Sequence, residues 1–268
     1  MKVDRVILVS NNNKMYSDFW NNLSYTYKIK FGIQPTLVFF GTESEKEILG
    51  LSENYGNIIY EKKIEGIAEW QYTWALFYFT KYYPDDTCIV MGIDQIPLGT
   101  YFLDESIKSV PENNYVMLID DIYKYEGKYR TKWDEGGYSP SAYHIAKGKT
   151  FMDIFNFEQT FELELKKIIN LNLRTMWGNG WGMDEAYSSQ TLRNFPDQSR
   201  ISGLSKTKDF LERRIDCHRS LEVPYNIEKL NNNYYVECHS VRPYSNHKNY
   251  LDKMFNDIPY FINRNNNS

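Results

Sequence analysis

The strongest constraint on this chain is the alternation of short apolar runs with helical stripes through its first ninety residues. Arg5-Val6-Ile7-Leu8-Val9, Thr36-Leu37-Val38-Phe39-Phe40, Asn57-Ile58-Ile59-Tyr60 and Cys88-Ile89-Val90-Met91 read as buried strands, the first closed by Ser10-Asn11-Asn12-Asn13 and the second by Gly41. Between them, Met15, Phe19, Leu23 and Tyr27 recur at steps of four, residues 44–49 suit a short helix, and residues 67–82 carry Trp70, Trp74, Phe77 and Tyr78 on one helical side. Strands apolar on both faces that alternate with helices predict an α/β fold with a mainly parallel central sheet flanked by helices. Ligands on such sheets bind at the carboxyl ends of the strands. Chemistry is therefore expected just after Val9, Phe40 and Met91.

The second half is less regular. Strands are expected at 115–119, 142–145 and 236–239, helices at 157–171, 183–192 and 246–255, and a polar, aromatic loop over 120–141. No repeat and no linker rich in Gly, Ser or Pro divides the 268 residues, so one domain over 1–262 is expected, with 263–268 a disordered Asn-rich tail. A net charge of −4 and the lack of a Lys/Arg stripe argue against a nucleic-acid surface. Three cysteines are too few and too irregular for a disulfide framework or a thiolate zinc site, which fits a reducing compartment. No signal peptide and no membrane-length apolar stretch is evident, so a soluble, cytoplasmic protein is expected. Neither a P-loop nor a G-x-G-x-x-G after a strand is present, which removes support for ATP-dependent phosphoryl transfer and for dinucleotide oxidoreduction.

Three stretches carry residues suited to chemistry. In the first, the apolar run Cys88–Met91 leads into Gly92-Ile93-Asp94-Gln95-Ile96-Pro97-Leu98. Asp94 there either caps a turn or binds a hard cation, Mg²⁺ or Mn²⁺, that would neutralise a diphosphate. In the second, His239-Ser240-Val241-Arg242-Pro243-Tyr244-Ser245-Asn246-His247-Lys248 gathers two imidazoles and two cations within ten residues. It is the densest such cluster in the chain, and read from its residues alone it suits a basic surface turn with a partly packed His. The third, Trp177-Gly178-Asn179-Gly180-Trp181-Gly182-Met183-Asp184-Glu185, suits a glycine-rich loop running into a helix start. Its acidic pair complements the helix dipole. Trp177 and Trp181 suit a loop that lies against a ligand. Among weaker signals, Ser10 and Asn11 read first as a polar turn, Asp120-Asp121 as a solvated loop and His144 as a core histidine. His218, in Asp216-Cys217-His218-Arg219, has metal-capable neighbours without a recognisable spacing.

The first stretch resembles the DxD region of GT-A glycosyltransferases, where an apolar strand ends in Asp-x-Asp and is often followed by Pro-Leu. The aromatic helix before it, which contains Gln71, also fits that layout, while Gly92 stands where the first Asp would be. The second stretch resembles the late His-x-x-Gly-x-x-Lys-Pro-Trp segment of glycogenin-like members, with Arg242-Pro243-Tyr244 in place of Lys-Pro-Trp and a shorter spacing. The resemblance implies a single Rossmann-like GT-A domain and a divalent ion, Mn²⁺ or Mg²⁺, on Asp94 with His239 or His247. It also implies a nucleotide-diphosphate sugar held near Val9, Ser10, Asn11, Gly92, Asp94, Arg242 and Lys248, with uridine favoured by family frequency. Asp184 or Glu185 would serve an unidentified acceptor, be it glycan, protein or lipid. Two rival readings are a nucleotidyltransferase that makes nucleotide sugars and a non-catalytic binding module on the same fold. The first expects a Gly-rich, Arg/Lys-bearing loop after the first strand, and Ser10-Asn11-Asn12-Asn13-Lys14 has neither Gly nor Arg.

Overall fold

The apolar runs become strands in the computed structural model, which describes residues 1–119, 139–173, 182–204, 206–217 and 221–262. In chain order the described strands are β1 (Arg5–Asn11), β2 (Gln34–Phe40), β3 (Asn57–Glu61), β4 (Thr87–Val90), β5 (Gln95–Pro97), β6 (Tyr115–Met117), β7 (His144–Lys147), β8 (Ile201–Gly203), β9 (Arg214–Asp216) and β10 (Glu237–His239). The chain divides into two compact units, each assembled from separate stretches of sequence.

One unit comprises Lys2–Lys62, Gly92–Lys108 and Phe210–Ser268. Here β1, β2 and β3 are parallel throughout, with Val6 opposite Pro35 and Leu37 opposite Ile58. Val6, Ile7, Leu8 and Leu37 through Phe40 are fully buried, as a strand covered on both faces requires. Thr36 is buried among them, and its hydroxyl accepts a hydrogen bond from Arg5 at 2.8 Å. The helix Glu43–Leu49 starts on a capping box, the Thr42 hydroxyl receiving the Glu45 N–H while the Glu45 carboxylate receives the Thr42 N–H. The long helix expected over 15–30 is broken into Lys14–Ser17, Trp20–Tyr25 and a wider π turn, Thr26–Phe31. Phe19, Leu23 and Tyr27 are buried as the stripe predicts, but Met15 is exposed. Lys30 explains part of that irregularity. Its ammonium is buried and donates to the carbonyls of Phe255 (2.6 Å), Ile258 (2.7 Å) and Asn256 (3.1 Å), capping the helix Lys248–Asp257. A second, small sheet in this unit has the order β5-β10-β9, antiparallel then parallel.

The other unit comprises Met1, Lys63–Met91 and Ser109–Asp209. Here β7 runs antiparallel to both β4 and β6, and β8 is parallel to β6. The expected helix over 67–82 is instead two 3₁₀ segments, Glu69–Trp74 and Phe79–Tyr82, around the α turn Ala75–Tyr78. Crowding among large rings accounts for the irregular winding. Trp74 stacks on Phe77 at 4.7 Å and meets Phe155 and Tyr187 edge-on. Phe79 is fully buried against Tyr78, Tyr82 and Phe161. The helix Gly148–Phe155 has no counterpart among the sequence expectations, and the one expected over 157–171 is confined to Phe161–Asn170. Only a glycine fits at Gly148, because a Cβ there would lie 2.2 Å from the Tyr83 carbonyl oxygen and 2.4 Å from that of Thr80. Among the described residues, no helix is long and apolar enough to cross a membrane.

Candidate functional site

Asp94 sits in a tight turn that opens β5. The Gln95 N–H donates to the Gly92 carbonyl at 3.1 Å, and the Gly92 N–H donates to the Gln95 side-chain Oε1 at 2.6 Å. The Ser240 N–H donates to the Asp94 carbonyl at 3.0 Å, which ties this turn to the chain just after β10. Along β10, His239 lies opposite Gln95 of β5 and Asp216 of β9, while Glu237 lies opposite Arg214. Because side chains alternate along a strand, Glu237 and His239 share one face with Arg214 and Asp216, and Cys238 and Ile215 turn to the other. The Cys217 and Cys238 thiols are free, buried and 3.7 Å apart.

The charges on the polar face alternate. Glu237 Oε1 is 2.8 Å from Arg214 Nε, and Arg214 Nη1 is 3.7 Å from Asp216 Oδ2. Asp216 Oδ1 is 3.8 Å from His239 Nδ1, and His239 Nε2 is 3.4 Å from Asp94 Oδ2. The same Asp94 oxygen lies 3.0 Å from Arg242 Nη1. Arg242 is held from behind by Tyr16, whose ring centroid is 4.9 Å from the guanidinium carbon. Tyr16 belongs to the helix that follows β1, so Arg242 reaches the chain segment next to Val9, Ser10 and Asn11, the last residues of that strand. Burial alone would raise the pKa of Asp94, but the His239 hydrogen bond and the charges of His239 and Arg242 outweigh it and hold the carboxyl at about 2.

This donor set does not fit the Mn²⁺ or Mg²⁺ ion that the sequence suggests. A hard divalent cation takes several oxygen ligands, whereas the oxygen of Asp94 that faces His239 already faces a guanidinium. Among the described residues, no group of three or more His, Cys, Asp or Glu side chains is placed to hold a metal. A side chain at position 92 would have to displace the ends of two side chains, since a Cβ there would lie 2.9 Å from Gln95 Oε1 and 3.0 Å from Asp94 Oδ1.

The other expected residues divide clearly. His247 is turned to Glu222 at 2.9 Å, and Lys248 pairs with Asp252, so both of these partners lie outside the Asp94 cluster. Ser10 is buried and its hydroxyl donates to the Asn11 carbonyl at 3.3 Å, while the Asn11 side chain accepts the Asn13 N–H at 3.0 Å. Asp184 lies in the other unit at the start of the helix Met183–Asn194, buried, with Glu185 half-buried beside it. Burial raises the Asp184 carboxyl above its usual range, and hydrogen bonds from Ser141, Thr73 and the helix N–H groups only partly offset this. His144 is a core residue: the Tyr115 hydroxyl lies 2.9 Å from its Nδ1 and the Pro140 carbonyl 2.6 Å from its Nε2. Asp120, Asp121, Trp177, Trp181, His218 and the tail lie outside the described residues. Sequence reasoning misses Gln95, Asp216 and Tyr16. The alternation in Arg214-Ile215-Asp216 and Glu237-Cys238-His239 is the available signal for Asp216.

No protein-family model matches the chain, and no curated protein matches its sequence. Among solved structures, the galactosyltransferase LgtC in complex with donor and acceptor sugar analogues is similar with a TM-score of 0.50 and 10% identity, over 97% of this chain and 98% of that one. An active-site mutant of LgtC gives 0.51 and 10%, over 89% and 88%. The fold is of the GT-A glycosyltransferase type. The glycosyltransferase GlyE of Streptococcus pneumoniae TIGR4 is also similar, with a TM-score of 0.43 and 14% identity over 78% of this chain and 47% of that one. This chain thus spans about half the length of the GlyE chains it matches. The likeness in GT-A fold rests on layout, with little shared sequence.

Proposed function

We propose that this chain transfers a sugar from a nucleotide-diphosphate sugar, with uridine as its nucleoside, to a hydroxyl of an acceptor. The observation that carries this reading is the convergence of His239 and Arg242, from one late segment of the chain, onto a single carboxylate oxygen of the distant Asp94. In such a reaction the bond from the sugar's anomeric carbon to the diphosphate breaks, and its electron pair leaves with the diphosphate. A guanidinium beside the departing oxygens, with an imidazole able to donate a hydrogen bond, stabilises that charge most where it develops. The acceptor oxygen forms the new bond to the anomeric carbon and gives up its proton. Asp184 is proposed as the carboxylate that takes it, because a raised pKa makes it a stronger base. The nucleotide is proposed to lie at the carboxyl end of β1, near Val9, Ser10 and Asn11.

Thermal-shift measurements against a panel of nucleoside diphosphates test the donor, since a ligand that binds only the folded state raises the melting temperature with its concentration. Stabilisation by uridine diphosphate and release of sugar from its conjugate are expected. Asp184→Asn should lower sugar transfer by about 10²–10⁴-fold and leave uridine diphosphate binding in place. Pyrophosphate release from a nucleoside triphosphate would assign the chain to nucleotide-sugar synthesis instead, and binding without turnover would make it a binding module. No stabilisation by any nucleotide would end the donor reading.

A further inference from the structure

We propose that Arg242 is a tethered counter-ion that holds the place against Asp94 a divalent cation would take, so that a nucleoside diphosphate binds at this site without metal. The inference rests on the proposed donor for its ligand, but its account of the cation stands on geometry. Asp94 Oδ2 is 3.0 Å from Arg242 Nη1 and 3.4 Å from His239 Nε2, so a metal ion on that oxygen would have to displace a fixed positive group. Arg242 is fixed: its side chain is only 6% exposed and lies against the Tyr16 ring. Its Nε is buried with no hydrogen-bond partner among the described residues, which leaves donor capacity that Asp94 does not use.

The turn at position 92 points the same way. The Gly92 N–H is bonded to Gln95 Oε1, and that amide fills the space into which a side chain at 92 would project. A carboxylate at 92 would need the ends of both those side chains to shift and would then sit beside Asp94. In the turn as it stands, one carboxylate is matched by one guanidinium, with the imidazole beside it. A planar fork with five donors is well suited to diphosphate oxygens, and it keeps its charge at every working pH.

Titration with Mn²⁺, followed by the paramagnetic signal of the free ion with and without uridine diphosphate, tests the inference directly. The wild-type chain should leave the signal of the free ion unchanged, and uridine diphosphate should bind equally in chelator and in Mn²⁺. Arg242→Ala should weaken uridine diphosphate by at least about tenfold, and Arg242→Lys, which keeps the charge without the fork, by less. Circular dichroism of both variants separates lost binding from lost folding. Uptake of one Mn²⁺ by the wild type, abolished in Asp94→Asn, would overturn the inference, as would uridine diphosphate binding that requires Mn²⁺. If uridine diphosphate fails to bind in either condition while Mn²⁺ also stays free, the donor reading falls and the metal-free account of Asp94 stands.

Discussion

Asp94 and Asp184 are both carboxylates withdrawn from most of the solvent, and their pKa values move in opposite directions. Around Asp94, burial is answered by charge: His239 and Arg242 meet one of its oxygens, and the carboxyl is held at about 2. Around Asp184, burial is answered by neutral hydroxyls and backbone N–H groups, and the carboxyl is raised. His144, in the same unit as Asp184, follows the neutral pattern. Burial lowers its pKa to about 4, and a phenol and a carbonyl satisfy its two nitrogens. A charged solution fixes a negative group as an anion at every physiological pH, whereas a neutral one leaves a group able to exchange its proton.

The largest expected effect comes from Asp94→Asn, which keeps the side chain's shape and removes its charge. It leaves Arg242 buried without its partner, and breaking a buried pair in this way costs about 3–5 kcal/mol. Urea unfolding at neutral pH measures the loss. A change below about 1 kcal/mol would mean that the pair is solvated like a surface bridge, and the contrast with Asp184 would fail.

Much of this contrast is hidden from the sequence, for reasons particular residues make clear. The apolar runs at 5–9, 36–40 and 88–91 predict β1, β2 and β4 because two-sided burial leaves a continuous apolar signature, and the run at 57–60 predicts β3 although Ile58 is its one buried residue. The short strands β5, β8 and β9, each of three residues, leave too little pattern to detect. Asp94 is legible as a candidate because it follows an apolar run, and His239 because it stands in a dense cluster of imidazoles and cations. Arg242 reads from sequence as a phosphate ligand, but its ion pair with Asp94 depends on a turn that joins distant segments, which no local pattern encodes. Lys248 and His247 are drawn in by proximity in sequence, but the helix Lys248–Asp257 offers Lys248 a nearer partner, Asp252, one turn away.

The neutral solution should reveal itself on acidification. In the folded chain His144 stays unprotonated down to about pH 4, whereas in the unfolded chain it takes up a proton near its ordinary value of 6.5. The unfolded state therefore binds more protons between those values, and stability falls as pH drops from about 6.5 to 4, by about 3 kcal/mol in all. His144→Gln, which can still accept from Tyr115 and donate to the Pro140 carbonyl, should flatten that part of the stability profile. Asp94 acts in a lower window. Its contribution is complete above its ordinary value of 3.8 and is lost only as pH falls from there towards 2. Unfolding curves collected from about pH 7 to pH 3 would separate the two. A slope between 6.5 and 4 that survives His144→Gln would assign the acid sensitivity elsewhere.

Asp216 should give the smallest effect, and it sharpens the comparison by locating the edge of the charged cluster. Its Oδ1 is 3.8 Å from His239 Nδ1, beyond hydrogen-bonding distance, and its side chain is 35% exposed. Solvent screens a pair of this kind, so Asp216→Asn should cost no more than about 1 kcal/mol in urea unfolding, and less in high salt. Uridine diphosphate affinity should change little, because the oxygen that His239 and Arg242 share belongs to Asp94. A loss of affinity comparable to that of Arg242→Ala would show that Asp216 orients the imidazole, and the charged site would then extend across β9 as well as β5 and β10.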